Sequence, residues 1–388
     1  MVSLLLAIIY IAFISLGLPD SLLGSAWPVM YKELNAPLSY AGIISMIISA
    51  GTIVSSLFSD KVTRKLGAGL VTAISVFLTA SALFGFSISG SFFMLCLFAI
   101  PYGLGAGAVD AALNNYVALH YNSRQMSWLH CFWGVGASIS PYIMGYAIGA
   151  GHGWRNGYSV VSMIQIILTV LLFLSLPLWK KCNNTIPDSE DYESPIGLNE
   201  ALKIKGVIFV LISFFSYCAF ESTAGLWVGT YLVENLGMNS QTAANFASLF
   251  YLGITFGRFL CGFIADKFGD KNMIRMGVAT MFLGVVLVMI PVNITIIPLV
   301  GLMIAGIGAA PVYPCIIHAT PNNFGKENSH AIIGIQMASA YVGSTFMPPV
   351  FGFLAENVNI AIYPFYLLVF VVLLFVMSEK VNRVVGNR

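Results

Sequence analysis

Three carboxylates interrupt apolar stretches of hydrocarbon length, at Asp20, Asp110 and Glu221. A charge at the depth of a bilayer costs at least about 2.5 kcal/mol on insertion scales, and it usually faces a cavity, a partner or a proton path. A carboxyl group withdrawn from water can bind and release a proton near neutral pH. The three residues are therefore candidates for proton coupling or for binding a polar solute.

Two of these acids open the same short phrase, one near the start of each half of the chain. The first phrase reads D-S-L-L-G-S-A-W from Asp20, and the second reads E-S-T-A-G-L-W from Glu221. Two acidic-basic loops also repeat, S-D-K-V-T-R-K at 59–65 and A-D-K-F-G-D-K at 265–271. We therefore expect two parallel repeats, with a solute site at their interface near the midplane of the membrane.

The composition predicts an all-α membrane protein with many spans. Hydrophobic residues make up 58% of the 388 residues, charged residues only 9%, and the mean hydropathy is +0.86. Such a chain is too apolar to be a soluble globule of this size. A net charge of +2 provides no basic field for nucleic acid. We expect a monomer in the lipid bilayer of the cell membrane.

A hydrocarbon core of about 30 Å needs about 20 apolar residues per helix, and the chain offers twelve such stretches. The predicted spans lie near residues 4–31, 38–59, 66–88, 92–118, 127–149, 157–179, 205–234, 242–264, 272–291, 294–318, 329–354 and 360–378. The long polar segment after the sixth span predicts a six-helix bundle over 1–179, a cytoplasmic linker over 180–204 and a second six-helix bundle over 205–388.

The basic residues favour one orientation. With both termini in the cytoplasm, the outer connections hold only Lys32 and Arg155, and nearly all other lysines and arginines fall on the inner side. Positively charged loops stay cytoplasmic. We therefore predict that the N-terminus and the C-terminus are both inside.

Small and polar residues share one face of the fourth span. Gly103, Gly107, Asp110 and Asn114 are spaced i, i+4, i+7 and i+11, which aligns them on a helix. Glycines let a neighbouring helix or a ligand approach closely while the acid and the amide face the same space. The alternative is a packing stripe in which Asp110 bonds to a serine across the helix interface.

The first span carries a similar stripe of Asp20, Gly24, Trp27 and Tyr31, and Pro19 loosens the helix just before the acid. This arrangement favours proton coupling through Asp20. The alternative is that Asp20 caps a helix break beside Pro19.

Aromatic faces beside polar acceptors suit sugars, and amides both donate and accept hydrogen bonds. Histidine is the side chain whose ordinary pKa lies nearest neutral pH, so His130 in the fifth span could relay a proton, or it could bond to a loop carbonyl. The candidate proton-coupling residues are Asp20, Asp110 and His130. The candidate solute-binding residues are Trp27, Asn114, Asn115, Trp133, Glu221, Trp227, Tyr231 and Gln336. Each aromatic residue could equally be part of an ordinary core.

The two repeated loops resemble the inter-helix signature of the major facilitator superfamily, G-x-L-x-D-R/K-x-G-R/K-R/K. The second copy supplies Gly262, Asp266, Lys267, Gly269 and Lys271, while Ser56 and Thr63 replace the glycines of the first copy. The resemblance implies two pseudo-symmetric six-helix bundles and alternating access. It also implies gating roles for Asp60, Arg64, Arg258 and Asp266.

Two further motifs are similar to the fucose permease group of sugar transporters. They are G-A-G-A-V-D-A-A-L-N-N-Y at 105–116 and L-H-C-F-W-G-V-G-A-S-I-S-P at 129–141. The resemblance implies sugar transport in symport with protons, with the important acids at Asp20 and Asp110.

No Walker loop, metal-ligand spacing or nucleophile elbow occurs in the sequence, so we expect no enzyme activity and no cofactor. The expected function is secondary transport of a small hydroxylated solute, most simply a monosaccharide, driven by a proton gradient. The alternatives are a sodium-coupled sugar symporter, a proton-driven exporter of drugs or amphiphiles, which 28 phenylalanines would suit, and a membrane sensor that binds solute without flux.

Overall fold

The computed structural model describes residues 2–121, 123–182, 198–290, 294 and 296–386, and these residues form helices and connecting turns without a strand. The helices are α1 Val2–Asp20, α2 Leu22–Glu33, α3 Tyr40–Leu66, α4 Ala68–Ser87, α5 Phe92–His120, α6 Ser123–Gly149, α7 Gly153–Cys182, α8 Leu198–Lys203, α9 Val207–Glu234, α10 Ser240–Met289, α11 Ile296–Ala309, α12 Val312–Phe324, α13 Lys326–Asn357 and α14 Tyr363–Val385, with a short 3₁₀ helix at Ile360–Ile362. Most of the predicted linker, residues 183–197, lies outside the described residues.

Ten helical segments among the described residues are long and apolar enough to cross a membrane, by length and composition alone. They correspond to ten of the twelve predicted spans. The other two predicted spans, 127–149 and 329–354, fall within α6 and α13, which have 27 and 32 residues. Both contain polar residues that lower their apolar character, and the total of twelve membrane crossings stays a prediction.

Three of the long helical segments are interrupted where the sequence contains proline or glycine. The first span breaks at Ser21, directly after Pro19 and Asp20, so α1 and α2 are separate helices. Gly269 has φ of +73°, a conformation that L side chains rarely adopt, and it divides α10 into two spans. The tenth predicted span divides into α11 and α12 at residues 310 and 311, the second of which is a proline.

The helices pack in two groups. In the N-terminal group α5 packs on α3 and α4, α7 packs on α4, and α1 packs on α6. In the C-terminal group α10 packs on α11, and α9 packs on α13 and α14. The groups meet where α6 contacts α10, α2 contacts α9 and α3 contacts α13. The space between these contacts is where a solute site is expected.

The repeated phrases meet at the interface between the groups. Gly24 and Gly225 occupy equivalent positions in the two phrases, and a Cβ added at Gly24 would lie 2.6 Å from the carbonyl oxygen of Gly225. A Cβ added at Gly229 would lie 2.5 Å from the carbonyl oxygen of Gly24. The helices α2 and α9 therefore cross backbone to backbone, which only glycine permits.

One end of the bundle is also held by polar contacts between the two groups, and we call it the closed end. The Glu234 carboxylate accepts a hydrogen bond of 2.8 Å from the Tyr31 hydroxyl and lies 2.8 Å from the Lys32 ammonium. Nearby, the backbone N–H of Ser39 donates to Glu356 at 3.1 Å. These contacts join the ends of α2 and α9 and of α3 and α13.

Replacing Glu234 with glutamine is expected to increase the population in which the closed end has separated by only a few-fold, because an exposed ion pair contributes roughly 0–1 kcal/mol. Distances between spin labels at His152 and Val358, which are exposed on opposite groups, would measure the shift. Glu200→Gln, at an exposed site on α8, is the control. Unchanged distances in the Glu234 variant would show that the ion pair does not hold this end.

Candidate functional site

Asp20 is exposed although it lies in the middle of the first span. The residues on either side of it, from Ser15 to Pro19 and from Ser21 to Pro28, are buried. The Trp133 indole N–H donates to Asp20 Oδ2 at 2.7 Å, and the Tyr102 hydroxyl donates to Oδ1 at 3.3 Å. The carboxylate therefore borders an accessible space between helices, and its direction is fixed by two aromatic donors.

The break between α1 and α2 explains this position. Ser21 lies between the two helices as the N-cap of α2, and its hydroxyl donates to the Ala137 carbonyl at 2.7 Å and lies 2.7 Å from the Ser140 hydroxyl. Because α6 holds Ser21 in this way, the carboxylate of Asp20 turns towards Trp133 on the same helix. The predicted helix break therefore coincides with the candidate acid, and the break directs that acid towards α6.

Trp133 connects Asp20 to a charged pair in the C-terminal group. The Arg258 guanidinium carbon lies 4.9 Å from the centre of the Trp133 ring, within the range of a cation–π contact. Arg258 Nη2 is 3.5 Å from Glu221 Oε1, and Arg258 Nη1 is 3.5 Å from the backbone carbonyl of His130. A continuous series of side-chain contacts therefore spans both groups of helices. It consists of Asp20, Trp133, Arg258 and Glu221, and we call it the central cluster.

Two tyrosines complete the surroundings of the central cluster. The Tyr251 ring packs edge-on against Trp133 with centroids 6.4 Å apart. The Tyr217 hydroxyl is fully buried one turn before Glu221 and has no hydrogen-bond partner of normal geometry among the described residues. The cluster therefore combines aromatic faces, two acids, a guanidinium and a buried tyrosine hydroxyl close to Glu221 and Arg258.

Asp110 is half-buried on α5, where its carboxylate accepts a hydrogen bond of 2.9 Å from the Asn114 amide one turn later. The glycines on the same face pack against α3, since Thr52 donates to the Gly103 carbonyl at 3.3 Å and Ser56 to the Gly107 carbonyl at 3.1 Å. The stripe therefore serves helix packing. Its acid bonds within the helix rather than to a serine across the interface.

Four of the predicted solute-binding residues do not reach this space. Trp27, Trp227 and Gln336 have no exposed surface, and Tyr231 is 3% exposed. Their polar atoms bond within the protein: Trp27 to the Leu38 carbonyl, Trp227 to the Pro348 carbonyl, Tyr231 to the Val288 carbonyl, and Gln336 to the Thr320 hydroxyl. In this structure they are core residues bonded away from the space beside Asp20, and their role in binding solute stays a prediction.

Of the four predicted gating residues, the structure describes the side chains of Arg64 and Arg258. Arg258 lies in the central cluster, where its neighbours are Trp133 and Glu221. Arg64 is exposed in the last turn of α3. The side chains of Asp60 and Asp266, and that of Asn115, lie outside what the structure describes.

His130 is half-buried on α6, and its ring packs edge-on against Phe13 with centroids 5.7 Å apart. Its backbone carbonyl, not its ring, contacts Arg258. Sequence reasoning did not identify Tyr102, Tyr217 or Tyr251 as site residues. A signal was present for Tyr251, since it precedes Arg258 by seven residues and so shares its helix face.

A family model of the Major Facilitator Superfamily matches residues 9–334 and, in a second match, residues 209–383. The chain belongs to this superfamily. Membership agrees with the all-helical fold and with a transporter rather than an enzyme.

Curated relatives of this superfamily protein are distant. It is 22% identical over 284 residues to Bypass of stop codon protein 6 of Saccharomyces cerevisiae, a match that covers 68% of this chain and 57% of the yeast protein. It is 23% identical over 360 residues to the uncharacterized MFS-type transporter YfkL of Bacillus subtilis, which covers 91% of this chain and 89% of YfkL. It is 21% identical over 314 residues to the glucose/mannose transporter GlcP of Bacillus subtilis, with 79% and 77% covered.

Among solved structures, a point mutant of the nucleoside transporter NupG superposes on this superfamily protein with a TM-score of 0.78. The identity is 15%, and the match covers 97% of this chain and 98% of the other. At this identity the likeness concerns the fold alone. The chain is thus a multi-pass membrane transporter of small solutes with the superfamily fold.

Proposed function

We propose that this superfamily protein carries a small hydroxylated solute, a monosaccharide or a close derivative, across the cell membrane together with a proton. The observation that carries the proposal is the exposed carboxylate of Asp20, held by Trp133 and Tyr102 in the space between the helix groups. A carboxyl group in such a place can exchange a proton with water while an aromatic face and hydroxyls lie beside it for a sugar.

The closed end suggests how the cycle proceeds. With both termini in the cytoplasm, as the basic residues predict, the end that carries Glu234 and Glu356 faces outward. The space beside Asp20 would then be reached from the cytoplasm in this conformation. Rocking of the two groups about the central cluster would open the closed end and seal the other.

One curated relative supports a sugar as cargo, since the name of GlcP refers to glucose and mannose. The motifs at 105–116 and 129–141 resemble the fucose permease group and agree with this choice. Asp110, Asn114 and His130 remain candidates for the proton path or the solute, as proposed from the sequence.

Purified protein in proteoliposomes tests the proposal. An inward proton gradient should drive uptake of a monosaccharide from a panel of radiolabelled sugars, and solute addition should acidify the interior as read by a trapped pH dye. Replacing sodium by choline at fixed pH should leave uptake unchanged. Uptake that requires sodium, or that ignores the imposed pH gradient, would contradict proton coupling.

A further inference from the structure

The guanidinium of Arg258 makes unusually long hydrogen bonds for a cation that is mostly buried. Its hydrogen bonds to the His130 carbonyl and to Glu221 each measure 3.5 Å, although only 13% of the side chain is exposed. Arg275, with 43% exposed, donates two bonds of 2.6 Å to Glu379. A guanidinium presents five donors in a planar fork that fits a carboxylate. Arg258 can therefore form shorter hydrogen bonds with a suitably placed carboxylate than it forms with Glu221 and the His130 carbonyl.

The hydroxyl of Tyr217 is a second hydrogen-bond donor close to Arg258. Tyr217 is fully buried, and its hydroxyl lies within reach of Glu221 and Arg258, although none of its hydrogen bonds among the described residues has normal geometry. Buried hydroxyl groups are normally hydrogen-bonded. An oxygen of a solute held by Arg258 could accept the Tyr217 O–H.

The charges around Arg258 restrict what can bind there. Asp20 on α1, Asp110 on α5 and Glu221 on α9 supply carboxylates, and Arg258 is the one guanidinium among these residues. The His130 carbonyl accepts a hydrogen bond from Arg258, and the His130 ring also interacts with it electrostatically. A solute carboxylate at Arg258 would compete with Glu221 and meet repulsion from the other acids. A proton taken up by one of these acids neutralises a carboxylate and so removes the repulsion. Binding one anion together with one proton then leaves the net charge of the central cluster unchanged.

We propose that the solute is a hydroxylated carboxylate, such as a sugar acid, whose carboxylate binds Arg258 in place of Glu221 while Tyr217 donates a hydrogen bond to it. This inference rests on the proposed function of proton-coupled solute transport and narrows its class of solute. The ring hydroxyls of the solute would lie towards Trp133 and Asp20, and the carboxylate towards α9 and α10.

A matched pair of probes tests the proposal on the purified wild-type protein. Glucuronate and glucose share their ring hydroxyls and differ in the carboxylate at C6. Binding measured by calorimetry should be at least about tenfold tighter for glucuronate, because a charge-assisted bidentate contact supports a difference of that order. Equal binding of the two probes, whether both bind or neither does, would overturn the proposal.

Two substitutions should act in opposite directions. Arg258→Gln is expected to remove the preference for glucuronate, and Arg258→Lys to restore part of it. Glu221→Gln should retain or increase glucuronate affinity, because the competing carboxylate is gone. Arg275→Gln, which breaks a pair outside the central cluster, is the control and should keep the preference. If Arg258→Gln and Glu221→Gln weaken binding equally, the pair is structural and the proposal fails.

Failure of this inference can be told from failure of the proposed function. If glucose enters with protons and glucuronate has no advantage, the transport function stands and the anion site is wrong. If glucuronate binds preferentially but its uptake ignores an imposed pH gradient, the anion site stands and proton coupling is wrong.

Discussion

Replacing Asp20 with asparagine is expected to abolish uphill accumulation of solute while leaving solute exchange intact. The amide has nearly the same shape as the carboxylate, and its oxygen can still accept the Trp133 indole N–H, but it cannot carry a proton. One proton moved down a gradient of one pH unit supplies about 1.36 kcal/mol, enough for about tenfold accumulation. The variant should therefore reach a ratio of about one under the same gradient.

Proteoliposomes loaded with unlabelled solute separate the two activities, because counterflow of labelled solute needs no proton gradient. Glu200→Gln on α8 serves as the matched carboxylate control, since it is exposed and outside the candidate spans. Full accumulation by the Asp20 variant would move the coupling role to another acid, with Asp110 the next to examine. Loss of counterflow as well would point to a role of Asp20 in binding the solute.

Introducing valine at Gly24 is expected to prevent the closed end from sealing and so to stop transport. The added Cβ would lie 2.6 Å from the Gly225 carbonyl oxygen and 2.8 Å from that of Leu226, and backbone atoms cannot rotate away. Overpacking of this kind costs typically about 1–3 kcal/mol, which lowers the population of the sealed state by roughly fivefold to 150-fold. Uptake should fall by a similar factor.

Spin labels at His152 and Val358, in a chain whose six cysteines have been replaced, would report the change as a longer distance across the closed end. Gly334→Val is the matched control, because a Cβ at Gly334 meets no atom within 4 Å. An unchanged distance together with normal uptake in the Gly24 variant would mean that the helices α2 and α9 need not approach this closely.

Much of the fold could be predicted because the membrane restricts the backbone to helices, whose apolar length is visible in the sequence. Pro19 indicates a loosened helix just before Asp20, and the repeated phrases indicate that Asp20 and Glu221 occupy matching places in the two halves. The sequence predicts the spans at 127–149 and 329–354 as apolar stretches like the other ten. The helices that contain them, α6 and α13, are less apolar than those ten, since residues that line a space between helices are less apolar than those facing lipid.

The site was less predictable, because apolar composition does not reveal which side of a helix faces a cavity. Trp27, Trp133 and Trp227 look alike in sequence, yet only Trp133 has its indole N–H directed at a carboxylate. In the other two the indole bonds to a backbone carbonyl of a neighbouring segment. The position of Arg258 likewise depends on the packing of α10 against α6, which no local pattern specifies.

The crossing of α2 and α9 at glycines has a consequence for the energy landscape of the cycle. Glycines bury little apolar area and bring no side chains that interlock, so separating the helices there requires little work. The sealed and unsealed conformers can then be nearly equal in free energy. Under that condition a stimulus as small as one proton, about 1.4 kcal/mol per pH unit, changes which conformer predominates. An α2–α9 interface built from glycines therefore lets the sealed and unsealed conformers interconvert in either direction, as a reversible carrier requires.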